Sequence, residues 1–193
     1  MKKSTSDTRQ HILDVAKLLV TNKGYTAVGL AEVVAAAGVP KGSFYYYFKS
    51  KEEFGQALLE EYFSEYLSKI DVLLSIEGTA RERLLGYFRS WSETQATDYP
   101  EEKCLVVKLG AEVCDLSEGM RAVLCQGTIA IIDRLTHCIE SGQADNSISP
   151  DVSPRILAES LYQLWLGASL MTKVAKDTDS FETAIYMTER LLT

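Results

Sequence analysis

From Pro40 to Glu53 the chain reads Pro-Lys-Gly-Ser-Phe-Tyr-Tyr-Tyr-Phe-Lys-Ser-Lys-Glu-Glu, a run that gathers lysines, hydroxyls and a glycine. That mixture suits the binding of a polyanion. Lysines neutralise phosphate, hydroxyls bond phosphate oxygens or base edges, and a bare glycine lets the backbone approach closely. It does not suit catalysis. The chain has no Gly-rich phosphate loop, Ser-nucleophile motif or acid pair set in context. Its only neighbouring His and Cys, His137 and Cys138, diverge by about 100° on a helix and cannot readily form a nucleophile–base dyad. No enzyme activity is expected.

The other reactive groups are four cysteines, Cys104, Cys114, Cys125 and Cys138, with no Cys-x-x-Cys or paired histidines, so neither a metal site nor a cofactor is expected. A chain this long does not need disulfides, and an unexported one keeps its thiols reduced. Cys104 follows Pro100-Glu101-Glu102-Lys103, which predicts a place in the first turn of a helix. There the helix dipole would favour thiolate, helped by Lys103 and Lys108 and opposed by Glu101 and Glu102. Inert filler is an equally open reading on this argument. Acidic neighbours (Glu112, Asp115, Glu118) disfavour thiolate at Cys114, while Cys125 and Cys138 read as small hydrophobes on a long helix.

The elements that position these groups read as helix throughout, an all-α fold of about nine helices, since no stretch alternates at strand spacing. From Thr8, Ile12, Val15, Ala16 and Leu19 recur at helical spacing until Asn22-Lys23-Gly24, where Gly24 is a natural terminator. A short helix from Gly29 to Ala37 closes at Gly38, and Pro40 opens a third in its first turn. Two short helices joined by a glycine-containing turn are the helix-turn-helix signature. Phe44 and Phe48 would pack inward, leaving Gly42 and Tyr46 opposite, with Ser43 and Tyr45 on the flanks and Lys41 at the leading end. Three tyrosines could equally fill a core, but three buried phenols would need three partners, so at least two should face outward. Ser50 and Glu53 form a capping box for the next helix, whose N-terminal end with Lys49 and Lys51 is placed to hold a phosphate.

Gly24-Tyr25 and Ala37-Gly38-Val39-Pro40-Lys41-Gly42-Ser43-Phe44-Tyr45-Tyr46-Tyr47-Phe48-Lys49-Ser50-Lys51-Glu52 resemble the signature of TetR-family transcriptional regulators over about residues 6–55. The resemblance implies an all-helical homodimer with an N-terminal DNA-binding domain and a larger effector-binding domain, usually a ligand-released repressor. It also implies that Lys41, Gly42, Ser43, Tyr45 and Tyr46 contact DNA from the recognition helix, and that Tyr25 and Lys51 hold the backbone. The chain departs from the family pattern at Val28-Gly29, where Thr-Ser is usual, and at Pro40, where Ser is usual. Gly29 therefore has only its backbone N–H to offer.

Charge agrees with that division. Residues 1–51 carry eight Lys and Arg against three acids, a net of +5, while residues 52–193 carry 12 bases and 24 acids, a net of −12. The basic part is a candidate polyanion-binding surface, with a solvated surface of uneven charge as the alternative, and the acidic part would repel nucleic acid. The domains are drawn accordingly, 1–51 for DNA binding and 52–193 for effector binding and dimerisation. With 46% hydrophobic and 24% charged residues in 193, the chain is globular rather than disordered. No uninterrupted apolar run of membrane length and no apolar segment behind Met1-Lys2-Lys3 are present, so a cytoplasmic protein without a membrane partner is expected.

Further helices are predicted at about 50–75, 79–96, 102–114, 117–142, 153–176 and 180–192, with capping boxes at Thr79/Glu82 and Asp115/Glu118 and Ser153-Pro154 as N-cap and first turn. In the 153–176 helix, Leu157, Leu161, Leu164, Ala168 and Met171 form an apolar stripe that, with the 117–142 helix, either makes a dimer bundle or fills the monomer core. A dimer would set two recognition helices in successive major grooves of a near-palindromic double-stranded operator. Tyr87, Phe88, Trp91, Tyr162 and Trp165 are candidates to line a pocket for a small-molecule effector, although aromatics at helical spacing are commonly core.

The stretches Cys104 to Arg121 and Leu164 to Leu170 resemble an electrophile-responsive subgroup of the family over most of the chain. That likeness implies de-repression when Cys104 is alkylated or oxidised, with Lys173 as a possible partner that favours thiolate or captures oxidised sulfur. Lys173 could equally be a lysine complementing a helix C-terminus. A non-covalent hydrophobic effector is the alternative.

Overall fold

In the computed structural model, which describes residues 5–96 and 104–193, the described residues form nine α-helices and no strand. They are α1 (Thr5–Lys23), α2 (Leu30–Ala36), α3 (Lys41–Tyr47), α4 (Lys51–Leu74), α5 (Ala80–Ala96), α6 (Leu105–Leu116), α7 (Glu118–Ala144), α8 (Pro154–Ala175) and α9 (Asp179–Leu191). Two compact units result, residues 1–64 with 98–127 and residues 65–97 with 128–193. These units cut across the division at residue 51.

In the first unit, α1 ends because Gly24 takes φ +91° and its N–H returns to Val20 O at 2.8 Å. Helix α2 ends in a Schellman turn: Gly38 (φ +63°) donates to Ala35 O at 3.1 Å and Val39 to Val34 O at 3.0 Å. Pro40 is the N-cap of α3, with extended ψ 148°, not a residue of its first turn. Its fixed φ suits either place, and the amide it lacks would be idle in both. Phe44 and Phe48 are fully buried and meet Phe54 of α4 at ring separations of 5.1 and 5.2 Å. The capping box forms, with Glu53 N donating to Ser50 Oγ at 3.0 Å. The Glu53 carboxylate accepts in return from Lys49 N at 2.9 Å.

The box predicted from Asp115 and Glu118 does not form. Helix α6 runs through Asp115 to Leu116, so Ser117 is the first residue outside it and caps α7, its Oγ accepting from Met120 N at 3.1 Å. Glu118 instead pairs with Arg121.

In the second unit, Thr79 and Glu82 make the predicted reciprocal bonds at the start of α5 (2.8 and 3.2 Å). Ser153 and Pro154 open α8 as N-cap and first residue. Helices α8 and α9 pack along one another and both meet α5. Their core is aromatic: Trp165 stacks between Phe88 (4.9 Å) and Phe181 (5.8 Å). Leu157, Leu161 and Ala168 of the predicted stripe are buried in this monomer core, whereas Met171 is exposed. Besides Met171, α8 leaves Ile156, Leu170 and Val174 in solvent, on the neighbouring face. On α7 the corresponding exposure is confined to Ile129.

Among the described residues α7 is long and apolar enough to cross a membrane, contrary to the sequence expectation. Length and composition alone give that result. Its Met120, Leu124, Ile131, Leu135 and Ile139 are buried against protein, and its Asp133 and Arg134 each pair with another helix, through Arg155 and Asp71.

Candidate nucleic-acid interface and buried thiol

The third helix presents the predicted surface. Tyr46 is 74% exposed and Tyr45 50%, while Lys41, Gly42, Lys49 and Lys51 are exposed and Ser43 half-buried. The ammonium of Lys41 lies 5.9 Å from the Tyr45 ring, so cation and hydroxyl share one edge of the helix. Gly29 is exposed at the N-cap of α2, with no side chain to cap it.

Tyr25 departs from the expectation of a backbone contact. It is buried, its hydroxyl donates to Lys51 O at 2.5 Å, and the Lys51 ammonium sits 4.9 Å over its ring. Tyr25 therefore ties the start of α4 to the α1–α2 junction and leaves Lys51 as the exposed cation. Burial, then the charges of Glu52 and Glu112, push its phenol up from 10.0 to about 12. The protonated phenol thus contributes stability that is fully present below pH 10 and is lost as the pH rises through about 12. In an alkaline titration followed by phenolate absorbance, the difference between the parent and Tyr25→Phe should appear only above pH 11, roughly midway in that window. A Tyr25 component titrating near pH 10 would contradict the buried placement.

The thiols differ from their sequence reading. Cys104 is not in the first turn of α6 but is its N-cap, buried at 4% exposure. The hydroxyl of Tyr62, 42 residues earlier, donates to its sulfur at 3.8 Å. Burial pushes the thiol up; the nearby amides of Val107 and Val106 and the Tyr62 hydroxyl favour the anion but do not outweigh it. Those amides fall short of side-chain capping geometry. The amides help the anion, but desolvation outweighs them and favours the protonated thiol. Lys103 and its acidic neighbours Glu101 and Glu102 lie outside the described residues. Cys138 is buried against Ala80 O at 3.7 Å, and burial raises its pKa. Cys114 is exposed, and so is Cys125, which is no buried hydrophobe.

One contact escaped sequence reasoning altogether. The carboxylate of Glu112 on α6 accepts from Thr26 N at 2.6 Å, Tyr25 N at 3.2 Å and the Thr26 hydroxyl. Desolvation pushes this carboxyl up, but those bonds and Lys108 outweigh it and hold it below the usual carboxylate range. The available signal was a pair of opposite charges, Lys108 and Glu112, one turn apart on an otherwise apolar stretch.

Lys173 is exposed in the last turn of α8, in the second unit, whereas Cys104 belongs to the first. The five proposed pocket residues are brought together there: Trp91 meets Tyr87, Tyr162 and Trp165 at 5.8 to 6.1 Å. They form a packed cluster whose indole N–H groups are engaged, Trp91 with Ser169 and Trp165 with Thr188, both at 2.9 Å. A separate cleft of about 390 Å³ in the same unit is lined by Asp71, Arg83, Arg134, His137 and Cys138 among others.

Residues 12–58 match the family model described as bacterial regulatory proteins, tetR family, and residues 80–187 match that of a tetracyclin repressor-like C-terminal domain. The chain belongs to the TetR family. Among TetR-family relatives, the transcriptional repressor NemR of Escherichia coli strain K12 is 40% identical over 185 residues, spanning 95% of this chain and 93% of that one. The repressor DhaR of Mycobacterium sp. strain GP1 is 32% identical over 182 residues, 92% of this chain and 90% of its own. The crystal structure of E. coli NemR in its reduced form superposes with a TM-score of 0.92 at 38% identity, covering 97% of both chains. The all-helical TetR fold and the regulator class read from the sequence are therefore shown.

Proposed function

We propose that this TetR-family regulator is a cytoplasmic homodimeric repressor that leaves its operator when Cys104 reacts with an electrophile or oxidant. Residues 1–51 read double-stranded DNA through α3, with Lys41, Gly42, Ser43, Tyr45 and Tyr46 in the major groove and Gly29, Lys49 and Lys51 at phosphates. Residues 52–193 sense and dimerise. The face of α8 bearing Ile156, Leu170 and Val174, with Ser160, Gln163 and Gly167 between them, repeats at alternating four and three residues and is exposed along its length. That spacing suits a seam between two copies, with Gly167 and Ser160 allowing close approach. A near-palindromic operator matches the resulting two-fold symmetry.

The observation that carries the reading is the burial of Cys104 inside the same compact unit as the helix-turn-helix. Addition of its S–H across an activated carbon–carbon double bond forms an S–C bond and leaves the proton on the neighbouring carbon. An adduct on exposed Cys114 or Cys125 projects into solvent, whereas one on Cys104 has no room and must displace the start of α6.

The test is fluorescence anisotropy on the DNA upstream of this gene, at fixed salt, with and without a small uncharged maleimide. Tight binding lost on addition supports the reading, and tight binding that persists sinks it. Persistence would favour a second reading, a non-covalent apolar effector that parts the Tyr87, Phe88, Trp91, Tyr162 and Trp165 cluster, recognised by release that reverses on dilution without reductant. On the DNA side, Lys51→Ala should weaken all sequences alike and flatten the dependence of log affinity on log salt by about 0.9. An unchanged slope would remove Lys51 from the phosphate contacts.

A further inference from the structure

Residues 22–26, the junction between α1 and α2, are held from two sides by one helix. Glu112 takes the amides of Tyr25 and Thr26 and the Thr26 hydroxyl into a single carboxylate, from 86 and 87 residues away. One turn earlier on α6, the ammonium of Lys108 donates to Asn22 O at 3.3 Å. Each charge has the sign its target calls for. A carbonyl of the last turn of α1 stands at the negative end of a helix dipole and meets the cation, and the amides beyond it meet the anion. Gly24 lies between, and a Cβ there would come within 3.2 Å of the carboxylate, so the junction and α6 are in close contact. At the other end of the same stripe, the amide of Lys108 makes the first helical bond of α6, to Cys104 O at 3.1 Å. Positions 104, 108 and 112 are thus successive turns of one rigid element.

We propose that Glu112 is the positioning residue through which α6 fixes the reading head, with Lys108 as its counterpart, and that withdrawing this clasp from residues 22–26 frees the head from DNA. The proposal rests on the reading of the chain as a repressor released through Cys104. Helix α6 is short and stiff, so a displacement at its N-cap is carried to Lys108 and Glu112 within two turns. The clasp is all-or-none in character, since one carboxylate serves three donors and loses them together.

Glu112→Gln in the full chain removes the charge and puts a donor against donors while keeping the side-chain size. The clasp predicts at least about a tenfold loss of affinity for the upstream DNA without any electrophile, with helix content unchanged. It also predicts faster hydrogen exchange at the Tyr25 and Thr26 amides. A small uncharged maleimide should then lower the affinity little further, because modification and substitution break the same link. Parent-like affinity, or a maleimide effect that multiplies unchanged on top of the substitution, overturns the proposal. Should Glu112→Gln fail to fold, Thr26→Val removes one donor at an exposed site and should give a smaller loss of the same kind. If the parent itself ignores the maleimide, the sensing reading fails, while the clasp is still judged by the affinity and amide exchange of Glu112→Gln.

Discussion

Cys104→Ser should bind the upstream DNA with an affinity within about twofold of the parent, a difference of roughly 0.4 kcal/mol, and should no longer release it when an electrophile is added. The first half follows from the position. Residue 104 is the N-cap of α6, and serine is among the side chains preferred there, with the amides of Val106 and Val107 at hand to bond its hydroxyl. Tyr62 retains an oxygen to donate to, so the substitution leaves no buried donor stranded. The second half follows from chemistry, because a hydroxyl does not add to an activated alkene under conditions where a thiol does. Anisotropy titrations of parent and variant, each with and without maleimide, decide it. A variant that still lets go at the parental reagent concentration moves the sensor to Cys114, Cys125 or Cys138.

Phe44→Ala has the opposite character: it should abolish DNA binding by dismantling the head. Phe44 has no exposed surface and touches Tyr45, Phe48 and Phe54 at ring separations of 5.1 to 5.6 Å. Losing a ring from such a site costs about 3–5 kcal/mol, a large share of what a small three-helix head can supply. Thermal melting by circular dichroism should show an early transition in the N-terminal helices while much of the helical signal persists. Melting and DNA binding indistinguishable from the parent would mean that Phe44 is not the keystone of the head.

What was legible in the sequence was local. Gly24 and Gly38 end their helices as their type demands, Phe44 and Phe48 turn inward at four-residue spacing, and Ser50 with Glu53 cap α4 within three residues. Rules of that range need no knowledge of the rest of the chain. They erred where two local choices competed: Asp115 and Ser117 could both cap α7, and the helix that already held Asp115 decided for Ser117. The α8 stripe was real but served the monomer core, because which side of an apolar helix meets its own chain depends on α5 and α9. The environment of Cys104 was beyond local rules. Proximity to a helix end argued for thiolate, and the burial that reverses the argument comes partly from Tyr62, 42 residues away. Glu112 is the extreme case, a charge whose partners lie 86 and 87 residues back.

Burying Cys104 while exposing Cys114 and Cys125 would also sort reagents by how long they last. Cys114 and Cys125 are exposed to any thiol-reactive compound, while buried Cys104 would be reached only through an opening of the start of α6. A brief pulse is spent on the exposed pair, and on other thiols around the protein, before the inner one is reached. Bulky or charged compounds would reach it least. A regulator keyed to that inner sulfur behaves as a dosimeter rather than an alarm, recording accumulated exposure to small uncharged reagents and staying silent through a passing one.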